Sequence, residues 1–472
     1  MLDLKISNCS IFGKEDEAEI GIKKGKIVLI EKEILERSVL NIDLNGAFVA
    51  PGFIDTHTHL LNLGLEKLRT SLFNTTSKED AIDLLKKNID SRKSTKILVA
   101  YRWDESLWKN GTFLNRSDLD FTSKPIIAYR RDGHMVTLNS SALKTVDKED
   151  SKDGILKESE LRLLTPVVYP DNNEREKALK LGMQEAIKVG ITALRDNVDA
   201  PTYSTYIKIN QPILIKKMIY DNELFGNFGR SVHEDWGVKT FLDGSIGAYT
   251  AAHKGWNKKN LLKNKPVFEK FCKDIWSRNH SIAVHAIGEN AVRTAVMVFS
   301  KNSGSRRNSI EHFEIIDDGI LDMMNDSIIV SSQPNFLEWA KEGGMYENRL
   351  GKEYLQKNNM YREFLDRGIK LAFGSDTMPI GPLYGIHYAV NSSFHNQRIS
   401  VEEAIKCYTE GSAYCLGMEG IKGKLDLGYD ADFVVLNRDP TKNLKGEIKD
   451  IKVKATFIGG KKIYDSENVK FD

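Results

Sequence analysis

The chain contains eight short apolar runs that have the character of buried β-strands, with segments long enough for a helix between most of them. This alternation indicates parallel βα units, because parallel strands need a long crossover connection between them. The predicted strands are 53–55, 191–195, 213–220, 238–242, 282–285, 309–312, 328–331 and 370–374. The pattern predicts an α/β fold centred on a (β/α)8 TIM barrel, which a chain of 472 residues accommodates together with insertions.

Both ends of the chain carry short runs of β-type residues between turn signals. They lie at 4–6, 19–22 and 27–30 near the N-terminus, and at 423–425, 431–436 and 453–463 near the C-terminus. Neither set can bury a core unaided, so we expect the two to build one small β-sandwich. The predicted domains are 1–52 with 417–472 as the sandwich, and 53–416 as the barrel. The barrel has an inserted subdomain at about 61–185, a gap too long for one connection.

The balance of charge excludes several classes of partner. The chain has 68 Lys and Arg residues against 66 Asp and Glu residues, with both signs interspersed, which speaks against nucleic acid and anionic membranes. Residues 1–6 carry charges where a secretory signal needs an apolar core, and no uncharged stretch is long enough to span a bilayer. We therefore expect a cytoplasmic protein that acts on a small-molecule substrate. A homo-oligomer remains an open alternative.

Residues of metal-binding type stand at the ends of the predicted strands. His57 and His59 are two residues apart, so alternation along a strand places both on one face, which is half of a zinc-type site. Lys239 lies in the fourth strand, and three further residues end or follow strands five, six and eight: His285, His312 and Asp376. Catalytic groups of a barrel sit at such strand ends. A core histidine, a snorkelling lysine or a helix-capping aspartate accounts for each residue alone but not for their joint placement.

The residue types indicate the chemistry. Neutral imidazoles and carboxylates suit Zn²⁺, whereas an ammonium group does not, so Lys239 fits such a site only if it is modified. Reaction with CO2 turns its amine into a carbamate that can bridge two cations. An aspartate beside the metal can take the proton of bound water and hand it to a leaving nitrogen.

The same residues carry a resemblance to a known family. In this order they resemble the ligand set of the amidohydrolase superfamily, metal-dependent hydrolases on a (β/α)8 barrel with a terminal β-sandwich, and the resemblance covers essentially the whole chain. Other motifs are similar to the amidohydrolase 3 branch, which includes N-substituted formamide deformylases. They are Trp103-Asp104-Glu105 (here without a glycine), Arg131-Asp132-Gly133-His134, 139–143, 239–245, 285–288, 310–312, Gln333-Pro334 and 374–377.

The resemblance implies a role for each metal-binding residue. The histidines of strand one would hold the more buried metal, and those of strands five and six would hold a second. Lys239 would bridge the two as its carbamate, and Asp376 would be both ligand and catalytic general base. We therefore expect one or two divalent ions, with zinc as the metal. Glu158 is a spare carboxylate near this region, for which a surface role is favoured over ligation.

The resemblance also implies that the motif containing Arg131 and His134 lies over the mouth of the barrel. We therefore expect His134 and Arg131 to contact the substrate, with Trp103 and Gln333 as further candidates. The alternative is that the motif is an ordinary surface turn whose charges are solvated.

The predicted function is hydrolysis of a non-peptide C–N bond in an amide, formamide or cyclic amide by metal-activated water. A deaminase on the same barrel is an alternative. Such enzymes usually carry a glutamate three residues after the strand-five histidine, but here that position is Gly288 and the glutamate is Glu289. A second alternative, a non-catalytic scaffold, would be expected to have lost metal ligands, and none is missing.

Overall fold

The computed structural model describes residues 1–91, 96–109, 111–221, 236–302, 307–317, 319–442 and 445–466. Its first strands are β1 (Leu2–Ile11), β2 (Ala18–Lys23), β3 (Lys26–Glu31) and β4 (Ser38–Pro51). β2 and β3 pair as an antiparallel hairpin, while β1 pairs in parallel with β4. The hairpin turns at Lys24 and Gly25, which have φ values of 50° and 74°. Two positive φ values suit a two-residue hairpin turn, so the predicted runs at 19–22 and 27–30 pair with each other.

The chain enters the barrel with β5 (Phe53–Thr58) and α1 (Leu60–Leu68) and then leaves it. The strands of the inserted region are β6 (Thr70–Ser71), β7 (Leu98–Trp103), β8 (Ile126–Arg130), β9 (Met135–Leu138) and β10 (Ile155–Lys157). Its helices are α2 (Lys78–Ser91), α3 (Arg116–Leu119), α4 (Ser140–Lys144) and α5 (Thr165–Val168). The five strands form a separate sheet in the order β10-β9-β8-β7-β6. The insertion therefore has its own β-sheet, separate from the sheet of the barrel.

Helix α6 (Asn172–Lys188) brings the chain back to the barrel and packs along α1. The two helices approach each other closely, because a Cβ atom on Gly64 would lie 1.7 Å from the carbonyl oxygen of Ala178. A Cβ atom on Gly182 would lie 2.4 Å from the carbonyl oxygen of Leu60. Since both helices belong to the barrel wall, we propose that the insertion lies between them rather than over the full 61–185.

The other barrel strands are β11 (Ile191–Val198), β12 (Leu214–Tyr220), β13 (Trp236–Phe241), β14 (Ile282–Ala286), β15 (Asn308–His312), β16 (Ile328–Ser332) and β17 (Lys370–Phe373). With β5 they form one eight-stranded sheet whose order follows the sequence from β5 to β17. Every pairing within it is parallel. All eight predicted strands are present, and the predicted TIM barrel is confirmed.

The helices of this part are α7 (Ala200–Tyr206), α8 (Lys265–Ser277), α9 (Glu289–Asn302), α10 (Met345–Leu350), α11 (Tyr361–Asp366), α12 (Pro382–Asn391), α13 (Val401–Lys406) and α14 (Ser412–Cys415). A π-helical turn, Cys407–Gly411, joins the last two. Across the described ranges, no helix is both long enough and apolar enough to cross a bilayer.

The first and last strands of the barrel are joined by polar groups at their C-terminal ends. The buried Asp55 carboxylate accepts hydrogen bonds from Ser375 N at 3.0 Å and from Ser375 Oγ at 2.6 Å. One residue further on, Asp376 N donates to His57 O at 2.8 Å. Gly374 permits this approach, because a Cβ atom there would lie 2.6 Å from His57 N. The barrel is thus joined at the same end at which the predicted ligands lie.

Strands β18 (Phe433–Leu436), β19 (Val453–Ile458) and β20 (Lys461–Asp465) complete the terminal unit. They join the first four strands in one seven-stranded sheet, in the order β20-β19-β18-β4-β1-β2-β3. Alternate residues face opposite ways: Val49 and Val435 lie in the sheet's own core, whereas Ala50 and Val434 pack against the barrel. We expected both termini to build one small β-sandwich, and they do build one separate unit together, a single seven-stranded sheet. Residues 443–444 and 467–472 of the predicted range lie outside the described residues.

One predicted strand of this unit is wrong. Residues 423–425 form a bend, with Gly423 at a φ of 89°. A Cβ atom at Gly423 would lie 2.7 Å from the carbonyl oxygen of Thr409, so the segment is pressed against the end of the barrel. The apolar Leu425 that suggested a strand is instead buried from a loop.

Candidate active site

Three predicted ligands form a compact group at the C-terminal ends of β5 and β17. One nitrogen each from His57 and His59 and one carboxylate oxygen of Asp376 all lie within 4.8 Å of one another. Asp376 Oδ1 is 3.0 Å from His59 Nε2 and 3.6 Å from His57 Nε2. The β-strand places both imidazoles on one side, as alternation predicts. Asp376 reaches them from a left-handed backbone position, with a φ of 51°.

The orientation of His57 depends on a buried carboxylate, Glu311. Glu311 Oε2 lies 2.7 Å from His57 Nδ1, and Glu311 Oε1 accepts a hydrogen bond from Arg195 Nη2 at 2.5 Å. Burial alone would raise the pKa of Glu311, but the Arg195 charge and the His57 bond hold it well below its usual range. Because Nδ1 is engaged by a carboxylate, Nε2 of His57 keeps its lone pair for a ligand in the cavity.

Lys239 lies on β13 with its side chain buried. Its Nζ atom has no hydrogen-bond partner among the described residues. Burial lowers the pKa of Lys239 to about 8, although the negative charges of Glu311 and Asp376 oppose this. A buried amine without an acceptor is costly, and a lowered pKa favours its neutral form, which has the lone pair that reacts with CO2.

His285 and His312 end strands β14 and β15 beside this group. Their ring centroids are 4.4 Å apart, and the centroids of His57 and His312 are 4.9 Å apart. Burial lowers the pKa of both His285 and His312 well below the usual value, so both imidazoles are neutral. His312 Nδ1 has no hydrogen-bond partner in the described part of the chain, whereas His285 Nε2 lies 3.0 Å from Gly244 O. The structure therefore brings all four predicted histidines together.

These groups open into a cavity of about 730 Å³. All six predicted ligands line it: His57, His59, Lys239, His285, His312 and Asp376. Loops of the barrel supply one part of its wall, and the inserted region supplies the other, including Arg102, Tyr129 and His134. A cavity of this size suits a small-molecule substrate.

His134 extends from the insertion toward the ligand group. Its ring centroid lies 5.3 Å from that of His285, and its Nδ1 atom is 3.1 Å from both carboxylate oxygens of Glu158. Burial would lower the pKa of His134, but the Glu158 charge outweighs this and raises it to about 9. Near neutral pH, His134 is therefore a cation that can donate from Nε2.

Known proteins resemble this chain over most of its length. A model of the Amidohydrolase family matches residues 41–464, which is most of the chain. The chain belongs to the amidohydrolase family. It is similar to the Bacillus subtilis protein YtcJ, with 26% identity over 480 residues that cover 90% of each chain. It is also similar to N-substituted formamide deformylase from Arthrobacter pascens, with 22% identity over 487 residues that cover 89% of each chain.

A solved structure shares the fold of this amidohydrolase. It is an uncharacterized metal-dependent hydrolase from Pyrococcus horikoshii, with a TM-score of 0.74 and 22% identity. The similarity covers 94% of this chain and 99% of that one. The barrel and the terminal sheet are therefore those of the amidohydrolase fold.

Other residues predicted to contact substrate have structural partners in the amidohydrolase. The Arg131 guanidinium donates to Glu338 Oε2 at 2.8 Å and to Met378 O at 3.0 Å, although Arg131 also lines the cavity. Trp103 is fully buried in the core of the insertion and donates from Nε1 to Ala128 O. Gln333 is fully buried and donates to Ser331 O. Neither Trp103 nor Gln333 is among the cavity-lining residues, because each side chain points into the core.

Glu158, the spare carboxylate, and Glu289, the glutamate considered for a deaminase, also have partners. Glu158 lines the cavity and contacts His134 and Thr250 Oγ1, and it is not part of the compact ligand group. Glu289 bonds His253 Nδ1 at 2.9 Å and lies outside the cavity lining. Sequence reasoning gave no role to Glu311 or Arg195, although charged residues within buried strands signal a paired site.

We expect Glu311→Gln to destabilise the amidohydrolase strongly, because it leaves the buried Arg195 without its counter-charge. Breaking a buried pair costs about 3–5 kcal/mol. The matched control is Glu403→Gln, since Glu403 pairs with Arg362 near the surface at 2.8 Å, and exposed pairs contribute about 0–1 kcal/mol. Urea unfolding of both variants measures the difference. Equal losses of stability would contradict the role assigned to Glu311.

Proposed function

We propose that the protein is a metal-dependent hydrolase that cleaves a non-peptide C–N bond in an amide, formamide or cyclic amide. The observation that carries this proposal is the compact group of His57, His59 and Asp376 at the floor of a cavity of about 730 Å³. The similarity to a formamide deformylase over most of both chains supports the type of bond.

The donor atoms fit a divalent metal ion. Neutral imidazole nitrogens and a carboxylate oxygen are ligands that zinc accepts, and the Glu311 bond leaves His57 Nε2 free to coordinate. We propose that His57, His59 and Asp376 hold one zinc ion and that His285 and His312 hold a second. As its carbamate, Lys239 would coordinate both zinc ions, since its Nζ atom is buried and has no partner in the described ranges.

A metal ion held here would lower the pKa of a water molecule and polarise the carbonyl group of a substrate. The chain's own residues would then move the proton. Burial would raise the pKa of Asp376, but its interactions with His57 and His59 lower it to about 2, so the carboxylate is ionised. We propose that Asp376 accepts the proton of the attacking water and delivers it to the leaving nitrogen. The protonated His134 would orient the substrate by donating a hydrogen bond.

The deaminase alternative is less well supported. The glutamate needed near the strand-five histidine would have to face the substrate. Glu289 instead begins helix α9, bonds His253 and accepts from Lys254 N. A non-catalytic scaffold is also less well supported, because the barrel brings every predicted ligand into one cavity.

We expect the purified protein to carry one or two zinc ions per chain, and a His57→Ala, His59→Ala double variant to lose them. Removing the two imidazoles leaves the compact group with only Asp376. Elemental analysis measures the metal, and circular dichroism checks that the variant is folded. The exposed His395 provides a control, since His395→Ala should retain full metal content. A folded double variant with unchanged stoichiometry would remove the basis of the proposal.

We expect Lys239 to be carboxylated in the protein that holds two metals. Without modification, its ammonium would face two cations at close range, and like charges in a buried site are strongly unfavourable. Protein loaded with ¹³C-bicarbonate should show a carbamate carbon signal by NMR that is absent from Lys239→Ala. An unmodified lysine in fully metallated protein would instead indicate a one-metal site or another bridging group, such as Glu158.

We expect Asp376→Asn and His134→Ala to differ in kind. Loss of the general base should lower kcat by about 10²–10⁴-fold on every substrate. Loss of a positioning contact should change kcat/KM unevenly among substrates. Both variants are assayed at measured metal content on formamides, acyl-amino acids and cyclic amides. If His134→Ala keeps wild-type rates on all accepted substrates, the motif at 131–134 is only a turn.

A further inference from the structure

Arg102 stands in a strained backbone conformation at the wall of the cavity. It lies in β7 of the insertion and has a φ of 73°, in the left-handed region that side-chain-bearing residues seldom adopt. Its side chain is only 11% exposed and lines the cavity that contains the ligand group. Backbone strain of this kind is typical of functional sites, where a contact made by the residue offsets its cost.

The guanidinium of Arg102 is held from one side only. Its Nε atom lies 2.6 Å from Glu66 Oε2, and the group sits over the Phe73 ring at 5.6 Å from the centroid. Glu66 is itself fixed by Ser71, whose Oγ donates to Oε1 at 2.6 Å. Within the described ranges, Arg102 Nη1 and Nη2 have no hydrogen-bond acceptor. The group is therefore oriented but keeps its two terminal nitrogens available.

Other buried or half-buried cations of the cavity wall are differently placed. Arg130 forms a bidentate ion pair with Glu105, with Nε 2.9 Å from Oε2 and Nη2 3.0 Å from Oε1. Arg131 donates to Glu338 and to Met378 O. Lys263 lies 3.1 Å from Asp221 Oδ2 and donates to two oxygens of β13. These three cations serve the protein's own framework, whereas Arg102 keeps its terminal nitrogens for a ligand.

The surroundings of Arg102 combine burial with charges of both signs. Burial lowers the pKa of Arg102, the charges of Glu66 and Asp376 oppose this, and the positive charge of Arg131 adds to it. Glu66 pairs with the Nε side of the guanidinium, at 2.6 Å. The Nη side is the one that faces a ligand.

We propose that Arg102 binds a carboxylate group of the substrate through Nη1 and Nη2, so that the preferred substrates are amides bearing a free carboxylate. The planar guanidinium presents parallel N–H donors that match the two oxygens of a carboxylate. Because Glu66 and Phe73 hold the group in place, little side-chain entropy is lost on binding. This substrate class rests on the proposed hydrolase function and adds a specificity-determining residue to it.

The test compares paired substrates. N-formyl and N-acetyl amino acids are assayed against the same compounds with the carboxylate converted to a carboxamide. We expect wild type to prefer the carboxylate members. Arg102→Gln should lower that preference by about 10- to 100-fold, mainly through KM, because a charge-assisted hydrogen bond is lost. Arg102→Lys should recover part of the preference. An unchanged preference in Arg102→Gln overturns the proposal, as does a wild type that favours the carboxamides.

The control for loss of charge is Arg398→Gln, since Arg398 is exposed and does not line the cavity. It should keep the wild-type preference. An equal loss in Arg398→Gln would mean that net charge, rather than contact with Arg102, selects the substrate, and would overturn the proposal.

A binding experiment separates this proposal from the hydrolase function. Metal-loaded wild type and Arg102→Gln, at equal metal content, are titrated with phenylacetate and with phenylacetamide by calorimetry. We expect phenylacetate to bind more tightly to wild type and to lose about 10-fold or more in affinity in the variant. Equal affinity in the two proteins overturns the role of Arg102. Absence of turnover on all amides would count against the hydrolase function alone, because the titration still decides the carboxylate site.

Discussion

The buried carboxylate of Asp55 supports both the fold and the site. It sits on the first barrel strand and accepts hydrogen bonds from Ser375 N, Ser375 Oγ and His57 N. Burial raises the pKa of Asp55 to about 7, even though these bonds act to lower it. The cost of placing this group in the core is thus offset by joining the two ends of the sheet. The same join sets His57 beside Asp376, so closing the barrel also assembles the ligands.

A second buried network keeps the ligand group chemically suited to a cation. Arg195 compensates Glu311, and Glu311 then fixes the ring of His57. Burial lowers the pKa of His57 to about 4 and that of His312 well below its usual value, so both rings are neutral, and Asp376 remains ionised beside them. Lys239 lines the same cavity, and its Nζ atom has no acceptor among the described residues. A buried polar group without a partner is costly, so this position favours a ligand or a modification that engages the amine.

Much of the barrel was predictable from sequence because a buried parallel strand is an apolar run with a polar residue where it ends. His285 and His312 both follow this pattern, and the structure places them 4.4 Å apart between ring centroids. The terminal sheet was predictable for a related reason, since residues 47–50 of β4 and all of β18 alternate between two apolar environments. The false strand at 423–425 arose because an apolar residue in a tightly packed loop looks like one in a strand.

The wall of the cavity was harder to predict, because proximity in sequence does not decide which way a side chain faces. Trp103 and Arg102 are adjacent on β7, yet Trp103 is buried in the insertion's core and Arg102 lines the cavity. Arg131 was predicted as a substrate contact, but its charge is taken up by Glu338. No sequence pattern marks an arginine that adopts a positive φ, so the strain at Arg102 became visible only in the structure.

The barrel and the insertion therefore supply different kinds of residue to the cavity. The groups proposed to bind metal stand on barrel strands or directly after them, and the hydrogen-bonded neighbours of these strands hold them in place. The cavity-lining groups on the other side come from the insertion, which has its own sheet and its own apolar core. An insertion with a separate core can change its cavity-facing residues without disturbing the barrel. Under the proposed function, substrate choice would vary at positions such as Arg102 and His134, while the packing of the barrel keeps the groups at the strand ends in place.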